Sequence, residues 1–189
     1  MDSIESQLGI RPILGGQHPK WGTHNALLSL GDSYLEVVAP DPSLKKPKRG
    51  TWIDQFLDQG PRLSSWVLQT TDIEKLYNQS KEAGISFGDI ESGQRQKPDG
   101  TLLKWKLTDP YAMPYEGKLP FLIDWGTTPH PSLSAPLAGT LKDLIIIHPS
   151  SKKLKKDLKE IGINLSVSLG SEPLLKAIIE TQKGLIELS

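Results

Sequence analysis

The chain has 189 residues, 22 basic and 22 acidic side chains, a formal net charge of zero and 37% hydrophobic content. That length fits one domain or two small ones, and the balanced charge leaves no dense basic arm for a nucleic-acid partner. Cysteine is absent, which excludes a disulfide framework, a thiolate nucleophile and every cysteine-containing zinc site. The N-terminus, MDSIESQLGI, carries early acids and does not read as a signal peptide. No apolar run approaches the ~18 residues of a membrane span. With 15 prolines and 17 glycines, the composition reads as a loop-rich cytoplasmic protein without a membrane partner.

Residues 2–9 are predicted to form a short helix, with Ile4 and Leu8 four apart on one face and Gly9 as its stop. Strands are predicted over 11–14, 23–30 and 34–39, the last two joined by a Gly31-Asp32 turn. In the third of these, Tyr34, Glu36 and Val38 share one face, and Leu35 and Val37 share the other. A carboxylate in an apolar strand means either an edge strand with a wet face or a polar group pointing into a pocket. Residues 41–62 read as a connector, with one or two helical turns in WIDQFLDQG.

The next unit starts with a strand over 63–69. Thr71 opens a capping box with Glu74, and Ile73, Leu76 and Tyr77 face one way along the helix that follows. A weak strand over 85–90 comes next, and ESGQRQKPDG then reads as a polar loop with a Pro-Asp-Gly turn. Residues 101–107 alternate cleanly, with Leu103, Trp105 and Leu107 on one face. Residues 121–125 place Phe121, Ile123 and Trp125 on one face and Leu122 and Asp124 on the other. The unit therefore reads β-α-β-β-β. A second such unit follows: a strand over 140–147, a helix capped by Ser150 or Ser151 and carrying Leu154, Leu158 and Ile161, and strands over 163–168, 174–180 and 184–188.

The first 40 residues then look like a truncated copy lacking its opening strand. The expected organisation is a truncated module at 1–40, a connector at 41–62, a second module at 63–128, a linker at 129–139 and a third module at 140–189. The expected fold class is α+β, built from repeated βαβββ modules with helices packed on a curved sheet. A missing strand leaves a sheet edge that needs cover. That cover would come from a homodimer pairing edges, from the last module, or from an upstream segment.

Two long segments carry a family resemblance. GGQHPKWGTHNALLSLGDSYLEVVAPDP is very similar to the N-terminal signature of glyoxalase-like domain proteins of the vicinal oxygen chelate superfamily, and KLPFLIDWGTTPHPS resembles their second signature. The resemblance implies paired βαβββ modules whose sheets curve into a partly open barrel around a ligand or metal pocket. Relatives in that superfamily include lactoylglutathione lyases, extradiol dioxygenases and drug-binding resistance proteins. The ligand positions of metal-binding members fall on Glu36, on Ser65 or Trp66, and on Asp124 or Ile123. Only Glu36 and Asp124 are metal donors among these. Two carboxylates are a poor site for zinc, nickel or iron, but would hold magnesium or calcium weakly with added water.

The residues themselves add further candidates. His18 sits in a Gly/Pro-rich loop, and His24 begins a strand on the opposite parity to Asn25, so only one of His24 and Asn25 can face a pocket. Asn25 suits a ligand carbonyl or amide, or else caps the adjacent loop. His130, between two prolines, is either part of a rigid turn or a presented side chain. Trp21, Trp66, Trp105 and Trp125 are wall candidates for a flat or apolar ligand, or simply core. Arg95, Lys97, Lys104 and Lys106 could form a positive rim, or be ordinary surface. The lysines at 152, 153, 155, 156 and 159 read as the wet face of a helix. No Gly-rich motif suits a nucleotide cofactor. The functional expectation is a small-molecule enzyme using Glu36 and Asp124 for acid–base or weakly metal-assisted lyase or isomerase chemistry on an oxygen-rich or carbonyl compound. The alternatives are a non-catalytic binder of the same fold, and an interaction protein with a decayed pocket.

Overall fold

The computed structural model describes residues 1–96 and 100–189. Helix α1 (Asp2–Leu8) ends on Gly9 at φ 82°, a left-handed stop that glycine adopts without steric cost. Helix α2 (Ile73–Glu82) starts one residue later than the capping-box pattern predicts. Asp72, not Thr71, is the cap, and its carboxylate accepts the Lys75 N–H at 3.0 Å. The Glu74 carboxylate pairs with Lys106 at 2.5 Å. Helix α3 (Ser151–Glu160) buries Leu154 and Leu158 and leaves its five lysines in solvent. Among the described residues no helix is long and apolar enough to cross a membrane.

The strands form three sheets. The first is an antiparallel meander of β1 (Ile13–His18), β2 (Thr23–Ser29) and β3 (Tyr34–Pro40), in the order β1-β2-β3. The second contains β4 (Val67–Gln69), β5 (Ile90–Gln96), β6 (Leu102–Thr108) and β7 (Phe121–Asp124), ordered β4-β7-β6-β5 with β4 parallel to β7. The third contains β8 (Thr140–Ile147), β9 (Ser166–Ser168), β10 (Leu174–Thr181) and β11 (Gly184–Leu188), ordered β11-β10-β8-β9 with β8 parallel to β9.

This corrects the expectation of repeated modules forming a curved, partly open sheet around a pocket. The class is α+β, but among the described residues no sheet curves or closes onto another. The two later units also differ in strand order. In the second sheet the opening strand β4 pairs with the last strand β7, whereas in the third the opening strand β8 lies between β9 and β10. The physical reason is visible where the first two sheets meet, at β1 and β5. The β1 register shifts between Leu14 and Gly16, which leaves Gly15 as an extra residue in a bulge. The Gly15 carbonyl accepts from the Arg95 guanidinium rather than from a strand N–H. A bulge interrupts the regular pairing of the edge it sits on, and among the described residues no backbone hydrogen bond joins the two sheets.

Two strand predictions also shift. Residues 85–89 are not strand, and residues 91–96 of the polar segment read as a loop belong to β5, while the predicted Pro-Asp-Gly turn falls on residues that are partly outside the described ones. It is an edge strand whose inward positions are Gly93 and Arg95, so it lacks the apolar alternation by which strands are recognised. His18, expected in a loop, closes β1 opposite Thr23.

Apolar packing fixes which faces remain for a site. Leu122 of β7 joins Ile73 of α2, Leu154 and Leu158 of α3 and Ile146 of β8 in one core cluster. Leu28 and Leu30 pack with Leu8, Ile179 and Leu188 in a second. The alternate residues of the same strands therefore point the other way. Asn25 and Leu27 from β2 face Ile123 from β7 across a third cluster built on Trp21, Trp105 and Trp125.

Candidate functional site

Between the first and second sheets lies a cavity with about 600 Å³ of atom-free space, part of it open to solvent. The first sheet contributes His18, Asn25, Leu27, Tyr34, Glu36 and Val38. The second contributes Val67, Arg95, Trp105, Leu107, Phe121 and Ile123. Trp21, Trp52, Pro110, Trp125 and Pro131 complete the wall from the connecting segments.

Four tryptophans thus line one space. Trp21 and Trp105 stack with centroids 6.3 Å apart and planes 19° from parallel, and Trp125 tilts against Trp105 at 5.2 Å. Trp52 meets Phe121 edge-on at 6.2 Å. The indole N–H groups of Trp21 and Trp125 are buried and have no hydrogen-bond partner. Such groups normally find one.

The polar groups converge from alternating positions. Tyr34, Glu36 and Val38 share the cavity face of β3, as the strand period requires. Asn25, on the neighbouring strand, donates from Nδ2 to Glu36 Oε1 at 2.6 Å and so fixes the carboxylate. The other amide atom of Asn25, Oδ1, is buried without a partner. It rests against Gly15, where a Cβ would lie 2.1 Å away. His18 places Nδ1 3.1 Å from the Thr23 hydroxyl oxygen. Burial lowers the His18 pKa, with Arg95 and His24 pushing the same way and Glu36 opposing, so the ring is neutral near pH 7. Burial, reinforced by Glu36, pushes the Tyr34 phenol far up, and it stays protonated. Arg95 is 4% exposed, and burial lowers its pKa against the pull of Glu36.

Of the residues singled out in the sequence, the structure brings His18, Trp21, Asn25, Glu36, Arg95, Trp105 and Trp125 to this cavity. Asp124, His24 and Trp66 are elsewhere. Asp124 has the parity of Leu122, lies opposite Lys106 and accepts the Gly126 N–H at 2.8 Å, while Ile123 takes the cavity position. His24 sits on the reverse face of β2, with Nδ1 3.6 Å from Asp41. Trp66 packs on the core cluster around Ile73 and donates its N–H to the Lys118 carbonyl at 2.9 Å. His130 stands behind the wall, edge-on to Tyr34 at 5.2 Å and to Trp125 at 6.5 Å, with Nδ1 2.8 Å from the Ser132 hydroxyl oxygen. Of the predicted positive rim, Arg95 is buried in the cavity, Lys104 and Lys106 are on the outer face of β6, and Lys97 lies outside the described residues.

A family model described as "Glyoxalase-like domain" matches residues 1–162. The chain belongs to this family, within the vicinal oxygen chelate superfamily. It is also similar to the crystal structure of a hypothetical protein from Staphylococcus aureus, at 16% identity and a TM-score of 0.61, over 94% of this chain and 75% of that one. That likeness is one of fold. No curated protein matches.

The superfamily includes metal enzymes, and the donors present here do not fit such a centre. Glu36 and His18 supply one carboxylate and one imidazole, and Asp124 faces away. Among the described residues no three His, Asp or Glu side chains are grouped to hold an ion. The Arg95 guanidinium shares the same cavity, and a fixed positive charge there opposes a divalent cation. The signals that sequence reading missed are Tyr34 and Trp52. Tyr34 was legible from its parity with Glu36, whereas Trp52 comes from the connector and carried no periodic signal.

Proposed function

We propose that the chain is an enzyme that moves a proton on a small hydroxyl- or carbonyl-bearing molecule held among the tryptophans. The supporting observation is the Glu36 carboxylate, fixed by Asn25, on the wall of an aromatic cavity that also holds a buried neutral imidazole, His18. Glu36 is the base that removes a hydrogen from the carbon next to a carbonyl. The electron pair moves onto the carbonyl oxygen. With the Thr23 hydroxyl donating to Nδ1, the His18 ring carries its hydrogen on Nε2 and donates it to that oxygen. Tyr34, protonated, is a second donor on the same wall. Glu36 then returns its proton to the former carbonyl carbon, while the hydroxyl on the carbon first deprotonated gives its hydrogen back to His18 Nε2 as that oxygen becomes the new carbonyl, so an isomerisation is complete and both groups are restored.

The test follows proton NMR in D₂O for a panel of 2-hydroxy aldehydes, 2-hydroxy ketones and 2-hydroxy acids. The expected result is catalysed loss of the carbon-bound hydrogen signal for one class, slowed at least ~100-fold in Glu36→Gln. No catalysed exchange anywhere in the panel would reject the proton-transfer reading. A second reading, binding without turnover, is favoured by the four-tryptophan wall. Its signature is fluorescence quenching by a ligand that undergoes no exchange.

A further inference from the structure

We propose that Arg95 makes one wall of this cavity a carboxylate subsite, and that the ligand is a flat monoanionic acid carrying a hydroxyl or carbonyl group. The proposal rests on the cavity being the ligand site, and it does not depend on turnover there.

Arg95 lies on β5, is almost fully buried and lines the cavity. A guanidinium carries five N–H donors in a fixed fork and stays charged at every working pH. The bond it makes within the protein runs from Nη1 to the Gly15 carbonyl. The arginine ion pairs among the described residues belong to Arg11 and Arg49. Glu36 is the carboxylate of the cavity, but it acts on Arg95 only through space. A buried cation without an ion-pair partner carries a large desolvation cost.

The chain also makes room for this side chain. A Cβ on Gly16 would lie 3.4 Å from Arg95 Nη1 and 2.7 Å from the Gln96 carbonyl, so the Gly15-Gly16 pair lets β1 approach β5 at that point. A clamp between strands needs one donor. A planar fork with further donors at a cavity wall matches the two oxygens of a carboxylate. The stacked tryptophans suit a flat body. Glu36 sets two further conditions. It repels a second negative charge, and it accepts a hydrogen bond from a hydroxyl on the same ligand.

The experiment titrates the full chain with mandelate and with its neutral amide, mandelamide, and reads tryptophan fluorescence. Mandelate is expected to bind at least about tenfold tighter than the amide. In Arg95→Gln the ratio should collapse towards one. In Glu36→Gln, which removes the opposing charge, it should rise. Arg95→Lys keeps the charge without the fork, and serves if Arg95→Gln fails to fold; its ratio should fall several-fold. Equal affinities in the wild type, an unchanged ratio in either Arg95 variant, or no quenching by either compound would overturn the proposal. Carboxylate preference without hydrogen exchange would leave the subsite standing and remove the proton-transfer reading. Exchange on neutral compounds with no carboxylate preference would do the opposite.

Discussion

Gly15→Ala is the sharpest probe of how the site is held. Gly15 is the extra residue of the β1 bulge, and its φ is not among the left-handed values, so alanine meets no backbone penalty there. The cost is steric. The new methyl would lie 2.1 Å from Asn25 Oδ1, 2.9 Å from its Cγ and 3.3 Å from Nδ2. Asn25 would have to retreat by more than about 1 Å to reach van der Waals distance. It is 5% exposed and donates to Glu36 at 2.6 Å, so that movement breaks the bond. A hydrogen bond to a charged group contributes about 1.5–3 kcal/mol, and overpacking adds about 1–3 kcal/mol. Together they predict a loss of roughly 2.5–6 kcal/mol, with about 2–4 °C of Tm lost per kcal/mol at this chain length. The decisive assay is a double-mutant cycle by urea unfolding. In an Asn25→Ala background the obstruction is gone, and adding Gly15→Ala should cost less than about 0.5 kcal/mol. Equal costs in both backgrounds would refute the steric account and the role given to Asn25.

Two further outcomes follow from the same structure. Asp72→Ala should cost about 1 kcal/mol because it removes the cap that accepts from Lys75, while Thr71→Ala should cost almost nothing. The reverse order in thermal melts would restore the capping box read from the sequence. Burial lowers the pKa of His18, and that of His130, below the unfolded value near 6.5. The unfolded chain therefore binds protons first as pH falls. The stability linked to these groups is complete above pH 6.5 and declines as pH drops through that value towards the native pKa. For His18 the slope is at most about 1.4 kcal/mol per pH unit. Urea midpoints at pH 7.5 and 5.5 should differ less in His18→Gln than in the wild type, and an unchanged difference would contradict the burial argument.

Much of the site was legible because strands alternate. Tyr34, Glu36 and Val38 share a face by arithmetic alone, and the excess of tryptophan pointed to an aromatic wall. What escaped was whatever depends on which elements meet. Trp66 reads like Trp105, but Trp66 lies just before β4 and packs on the other side of the second sheet, where its N–H finds the Lys118 carbonyl. Asp124 and Ile123 differ by one position, and one position in a strand is the difference between the two faces. Arg95 was read as a rim candidate in a polar loop, not as a buried residue on a strand, for a different reason. Its strand is polar because it is an edge, and its inward residues are a glycine and a cation. The helices were clear in type, with α2 displaced only at its cap. The sheets were wrong in shape, since a bulge and a side chain taking a backbone acceptor leave no periodic trace.

The two walls of the cavity belong to different hydrogen-bonded ladders, and side chains tie them together. Arg95 reaches Gly15, and Lys20 reaches Glu91 at 2.9 Å and the Ser92 carbonyl at 3.3 Å. Moving one wall from the other therefore breaks no rung of either sheet. Separation of the walls is resisted by a few polar contacts and the tryptophan packing, not by the backbone. The mouth can change width while the amides of β2, β6 and β7 keep their partners.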